Sequence, residues 1–66
     1  MEMISVSSSA ISAVGYDPLT RRMRIRFRHG STYTFCHVPP EVFEGLLTAS
    51  SKGRYYDRHI RGRYAC

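Results

Sequence analysis

Arginines and large apolar residues alternate without a break along residues 22–28. Met23, Ile25 and Phe27 take the odd positions, and Arg22, Arg24, Arg26 and Arg28 the even ones. A strand sends successive side chains to opposite faces, so this stretch predicts one core face and one row of four guanidiniums. A helix would scatter the same residues around its circumference. Six residue steps at about 3.3 Å make the row roughly 20 Å long. No acid lies within the run, so the row needs either solvent or an anionic partner.

Weaker alternation precedes it. Residues 3–7 predict a short strand with Ile4 and Val6 on one face. The three serines at 7–9 form a turn or loose joint. Residues 10–16 predict a second strand on which Val14 and Tyr16 share a face. Ile11 is out of phase with that pair, which a β-bulge would repair. Asp17, Pro18, Leu19 and Thr20 make a turn, since Asp accepts local backbone hydrogen bonds and Pro presets φ.

After the arginine strand, His29 and Gly30 signal a hairpin leading into residues 31–38. Two loops compete. A two-residue loop pairs Arg26 with Tyr33 and sets Tyr33 and Phe35 among the arginines, as stacking residues. A three-residue loop, with Gly30 left-handed in a G1 bulge, pairs Ile25 with Tyr33 and Met23 with Phe35. The second is preferred because both strands then bury a consistent face. It leaves Thr32, Thr34 and Cys36 beside the arginines.

Pro39 and Pro40 end the strand, and Pro40 suits the first turn of a helix. Val42, Phe43, Leu46 and Leu47 form an apolar stripe that runs to about Ser50. Gly45 weakens this helix and allows close packing on the sheet. Gly53 is expected as a break. Residues 54–60 predict a second, short helix, with Tyr55, Tyr56, His59 and Ile60 repeating the stripe. Residues 61–66 are expected as a mobile basic tail. The fold class is α+β: an antiparallel meander of three to four strands, packed by one longer and one short C-terminal helix, in a single domain over residues 1–66.

Length and charge qualify this picture. A chain of 66 residues buries only about 60% of its unfolded surface, so a partner, a second copy or a ligand would help it. Ten Lys and Arg against five Asp and Glu give a net charge of +5, and nine of the ten are arginine. All ten lie in residues 21–28 and 52–63. Arginine's planar fork favours phosphates over loose lipid attraction, and a solvated surface is the competing explanation. The two cysteines, Cys36 and Cys66, are too few for a disulfide scaffold. Both are expected as free thiols, which fits a reducing cytoplasm. Residues 3–16 carry no charge but are too few to span a bilayer. No signal-peptide pattern opens the chain, and no membrane role is expected.

The sequence also resembles the KTSC family, known from the C-terminus of some lysyl-tRNA synthetases and from free-standing bacterial proteins of about this length. The likeness rests on the ordered spacing of several short pieces. These are Ser8 to Ile11, Gly15-Tyr16-Asp17, the turn from Phe27 to Gly30, Tyr33-Thr34-Phe35, Val38-Pro39, and Gly53 to Tyr56 followed by Ile60. The family's central mark is Tyr-x-Tyr. Here Phe35 stands at its second position, which removes any role needing that hydroxyl. The resemblance implies no established activity. Its association with a tRNA-charging enzyme points to RNA.

Two constellations carry candidate chemistry. Arg22, Arg24, Arg26 and Arg28 would form a sequence-independent phosphate track. Lys52, Arg54, Arg58 and Arg61 are interleaved with Tyr55 and Tyr56, a mixture suited to base stacking on single strands. The expected function is a nucleic-acid-binding module, with RNA preferred. The rival is a protein-interaction adaptor or homodimer whose arginines meet an acidic partner. Cys36 and His37 point to opposite faces of a strand, and no spacing completes a metal site. The carboxylates do not cluster, and no glycine-rich phosphate loop is present. Cys36 paired with His29 or His59 remains open as a nucleophile. A non-enzyme without metal or cofactor is expected.

Overall fold

The computed structural model describes all residues, 1–66. Four strands form one antiparallel meander: β1 (Met3–Ser5), β2 (Ile11–Asp17), β3 (Arg22–Phe27) and β4 (Thr32–Phe35), in spatial order β1-β2-β3-β4. Two helices follow, α1 (Pro40–Thr48) and α2 (Lys52–His59), and their apolar sides join the core on one face of the sheet. The expected α+β architecture is the observed one.

The three-residue loop sets the β3–β4 register. Phe27 N–H donates to the Ser31 carbonyl and Gly30 N–H to the Phe27 carbonyl, with Gly30 at φ 109°. Met23 therefore faces Phe35, Ile25 faces Tyr33, and Arg26 faces Thr32. Along β3 the exposed and buried positions alternate strictly. The bulge in β2 falls at Ser12, between Ile11 opposite Phe27 and Ala13 opposite Arg26. It returns Ile11 to the core side, where it is fully buried beside Val14. Upstream, Ser8 Oγ accepts from the N–H groups of Ala10 and Ile11 and closes the β1–β2 joint.

Ile11, Val14, Met23, Ile25, Phe27, Phe35, Val38, Leu46 and Ile60 make the core. From α1, Leu46 is buried, Val42, Phe43 and Leu47 pack against the cluster, and Phe43 stacks on Tyr16 at 4.9 Å. Val38 is clamped by its backbone. Its N–H donates to the Arg21 carbonyl, and its own carbonyl accepts the Tyr16 hydroxyl at 2.6 Å. Arg21 and His37 flank this clamp at positive φ, a conformation that non-glycine residues hold only when their surroundings over-determine it.

Three expectations need correcting. Cys36 and Cys66 are not free thiols: they form a disulfide across 30 residues of sequence, with Cα atoms 4.8 Å apart. The free-thiol argument for a reducing compartment falls with them. Residues 61–66 are tied down rather than loose. Gly62 at φ 72° reverses the chain after Ile60, the Cys36 N–H donates to the Tyr64 carbonyl, and the disulfide holds the end beside β4. Gly53 does not break the chain. It lies in the first turn of α2, whose cap is Ser51, and an added Cβ would come within 3.2 Å of the Ala10 Cβ.

A domain this size is stabilised by roughly 3–10 kcal/mol in total. Chain-entropy bookkeeping for a loop of about 30 residues assigns about 4 kcal/mol to one crosslink. The Cys36→Ser/Cys66→Ser variant should therefore lose much of its resistance to urea, and thiol titration of the unreduced native protein should find no free sulfhydryl. Two reactive thiols, or unchanged urea midpoints, would refute the crosslink.

Candidate functional site

Met23, Ile25 and Phe27 point at the helices, so Arg22, Arg24 and Arg26 project from the opposite face of the sheet, where all three are exposed. On β2, their cross-strand neighbours are Asp17, Gly15 and Ala13. On β4, Arg24 and Arg26 face Thr34 and Thr32, and the Arg24 Nε donates to Thr34 Oγ1 at 3.4 Å. Small residues and hydroxyls thus border the guanidiniums on β2 and β4. Gly15 is small for a reason: a Cβ there would lie 2.9 Å from both the Glu2 carbonyl oxygen and Met3 Sδ.

Asp17 is the carboxylate in register with Arg22, yet it serves its own turn. The Leu19 N–H donates to Asp17 Oδ1 at 3.0 Å and, with lesser help from Thr20, holds the carboxyl below its ordinary pKa. The one ion pair of the protein joins Arg61 to Asp57 at 3.6 Å, with both side chains largely exposed. No carboxylate neutralises Arg22, Arg24 or Arg26.

Arg28 leaves the row. It lies beyond β3 in the turn, its N–H donates to the Ala10 carbonyl, and its Nε donates to the Ser8 carbonyl at the β1–β2 joint. The row is three guanidiniums long.

The second basic group divides by role. Lys52 Nζ donates at 3.1 Å to the carbonyl of Ala49, the C-cap of α1. Arg61 pairs with Asp57. Arg54 and Arg58 are exposed and unpaired. Tyr56 is the core anchor, edge-on to Phe27 at 5.0 Å and to Phe35 at 6.0 Å. Tyr55 instead lies against α1 at Gly45, where an added Cβ would meet its ring at 2.6 Å, and its ring tilts over His59 at 4.5 Å. Because Tyr56 roots α2 in the core, Arg54 and Arg58 belong to the helical layer, on the opposite side of the sheet from Arg22, Arg24 and Arg26.

Tyr33 and Phe35 take the core register, as preferred, but with different results. Phe35 is buried, and Tyr33 is half exposed with its ring edge-on to Phe27. Tyr33 lies on an edge strand, which limits its cover. No group of three His, Cys, Asp or Glu is placed to hold a metal. With its sulfur in the disulfide, Cys36 offers no thiolate to His29 or His59. No helix is long and apolar enough to cross a membrane.

The KTSC domain model matches residues 7–64. The chain belongs to the KTSC family. It is 47% identical over 62 residues to a protein of Tsukamurella paurometabola, covering 94% of this chain and 92% of that one. It is also 34% identical over 62 residues to a lysine–tRNA ligase of Nostoc punctiforme, covering 94% of this chain but 11% of the ligase. The crystal structure of a KTSC domain protein from Yersinia pestis superposes with a TM-score of 0.94 at 40% identity, over 98% of this chain and 92% of that one. The family model and the free-standing Tsukamurella relative indicate no catalytic function, and the ligase carries the matching segment in 11% of its length. In this KTSC chain the family's second tyrosine position, Phe35, is a core position, and its ring packs on Tyr56.

Sequence reasoning missed the disulfide and a hollow beside Ala49, Ser50 and Ser51 that Arg54, Tyr55, Arg58 and His59 line. The even cysteine count was the one signal for the first. The shared helical face of residues 54, 55, 58 and 59 was the signal for the second.

Desolvation holds the phenols of Tyr55 and Tyr56 above the ordinary tyrosine value. The folded state therefore keeps protons that the unfolded chain releases. This contribution is complete below the unfolded phenol's pKa of about 10 and is lost as pH rises through the folded values. Melting temperature should decline above about pH 10, and Tyr56→Phe should shallow that decline. An equal decline in the variant would show that another group causes it.

Proposed function

We propose that this domain binds single-stranded RNA, without sequence preference, by contacting phosphates with Arg22, Arg24 and Arg26. The observation that carries this reading is the row itself: three exposed guanidiniums on the sheet face away from the helices, with no carboxylate paired to any of them. Arginine presents parallel donors that match phosphate oxygens. Thr32 and Thr34 are exposed beside the row and add hydroxyl donors, whereas Met1, Glu2 and Met3 lie over Gly15, so a strand would run along the β3–β4 side of the face. No aromatic residue of β2, β3 or β4 shares that face, so bases have no stacking platform there and sequence would go unread. The occurrence of a similar segment within lysine–tRNA ligases places related domains in proteins that handle RNA.

Three phosphate contacts at about −0.7 each predict a log–log salt slope of about −2.1 for a single strand. A fourfold rise in salt should therefore weaken binding about 18-fold. The Arg22→Gln/Arg24→Gln/Arg26→Gln variant should keep its circular dichroism and lose the slope with the affinity. Salt-independent binding, or full affinity in the triple variant, would rule this interface out.

A further inference from the structure

A hollow of about 290 Å³ opens where the α1–α2 linker meets α2. Ala49, Ser50 and Ser51 form its linker side, and Arg54, Tyr55, Arg58 and His59 its helix side. We propose that this hollow is a binding site for a phosphate monoester. It is separate from the sheet face and does not depend on the RNA reading.

Arg54 and Arg58 are spaced i, i+4, which makes their side chains neighbours on one surface of α2, and like charges so placed repel. A helix normally relieves such a pair with an acid one turn away. Here the one acid of α2, Asp57, is engaged with Arg61, and no carboxylate lines the hollow. Both arginines line the same recess while remaining exposed to solvent. An anion between them turns the repulsion into two charge-assisted contacts.

The remaining lining completes a phosphate's requirements. Ser50 brings a hydroxyl with no partner inside the protein, while Ser51 Oγ is taken by the Arg54 N–H as the helix cap. His59 is positioned by its tilt over Tyr55, and Tyr55 is held against α1 at Gly45, so the wall of the hollow is braced by both helices. The start of α2 adds the positive end of its dipole to the same recess. The volume suits one phosphate with its attached sugar and is at the small end of ligand sites. A monoester carries nearly two charges at neutral pH against two guanidiniums, whereas a diester carries one.

The test is an amide-shift titration of the full chain with inorganic phosphate in chloride buffer, repeated with adenosine 5′-monophosphate, adenosine and dimethyl phosphate. Phosphate and the nucleotide should give saturable shifts at Ser50, Ser51, Arg54 and His59, dimethyl phosphate weaker ones, and adenosine none. Arg54→Ala or Arg58→Ala should each weaken phosphate at least about tenfold. Both side chains are exposed, and unchanged shifts elsewhere in the spectrum will confirm that the variants fold. The Arg22→Gln/Arg24→Gln/Arg26→Gln variant should bind phosphate as the parent does, which separates this site from the sheet face. A 5′-phosphorylated oligoribonucleotide that shifts Ser50, Ser51, Arg54 and His59, where its 5′-hydroxyl counterpart does not, identifies a strand end as a source of the phosphate; one that leaves them unmoved identifies the free nucleotide. Shifts that stay linear, or that survive both arginine substitutions, would overturn the proposal.

Discussion

The register between β3 and β4 governs the rest of the molecule. One glycine in the left-handed region, Gly30 at φ 109°, lets the turn take three residues instead of two. Ile25 then faces Tyr33 and Met23 faces Phe35, so both strands contribute to one apolar surface. A slip of one residue would send every β4 side chain to the other face. Phe35 would leave the core, Tyr56 would lose one of the two rings it packs on, and α2 would lose its anchor. The alternation of β3 sets Arg22, Arg24 and Arg26 on the face away from the helices.

With so small a core, chain-end devices matter more than in a larger domain. Nine residues make the buried cluster. Val38 is held at both its N–H and its carbonyl, the first by Arg21 and the second by the Tyr16 hydroxyl. The C-terminal segment lies along β4, where the Cys36 N–H and the disulfide pair with it. This partly covers an edge strand that would otherwise offer unpaired backbone groups to another chain. Crosslink and tail thus stabilise the fold and protect an edge at once.

Local patterning carried most of the fold. The strict alternation of β3 and the phase error at Ile11 resolve into the strand and the bulge at Ser12, and of the two loops open to the hairpin glycine the three-residue one, which gives both strands one buried face, is present. The α1 stripe of Val42, Phe43, Leu46 and Leu47 was equally plain. What escaped depends on where distant segments meet. The Cys36–Cys66 pairing follows from the chain reversing at Gly62 and returning to β4, which no local pattern encodes. Arg28 continues the alternation in sequence, yet the strand ends one residue earlier and its guanidinium turns to Ser8. Lys52 and Arg61 look like Arg54 and Arg58 as sequence, but one caps α1 and the other pairs with Asp57. Charge alone could not separate structural cations from free ones, so the candidate site appeared larger and more continuous than it is.

The two basic constellations thus lie on opposite layers of the fold, each smaller than the sequence suggests. The sheet face offers a row for a chain of phosphates, and the helical hollow offers a recess for a single one. Mapping contacts residue by residue decides whether the arginine face of the sheet meets RNA. In an amide-shift titration with a short oligoribonucleotide lacking a 5′-phosphate, the account predicts perturbations at residues 22–26 and 32–34, with the core and the helical layer quiet. Perturbations confined to α1 and α2, or none at saturating RNA, would contradict it.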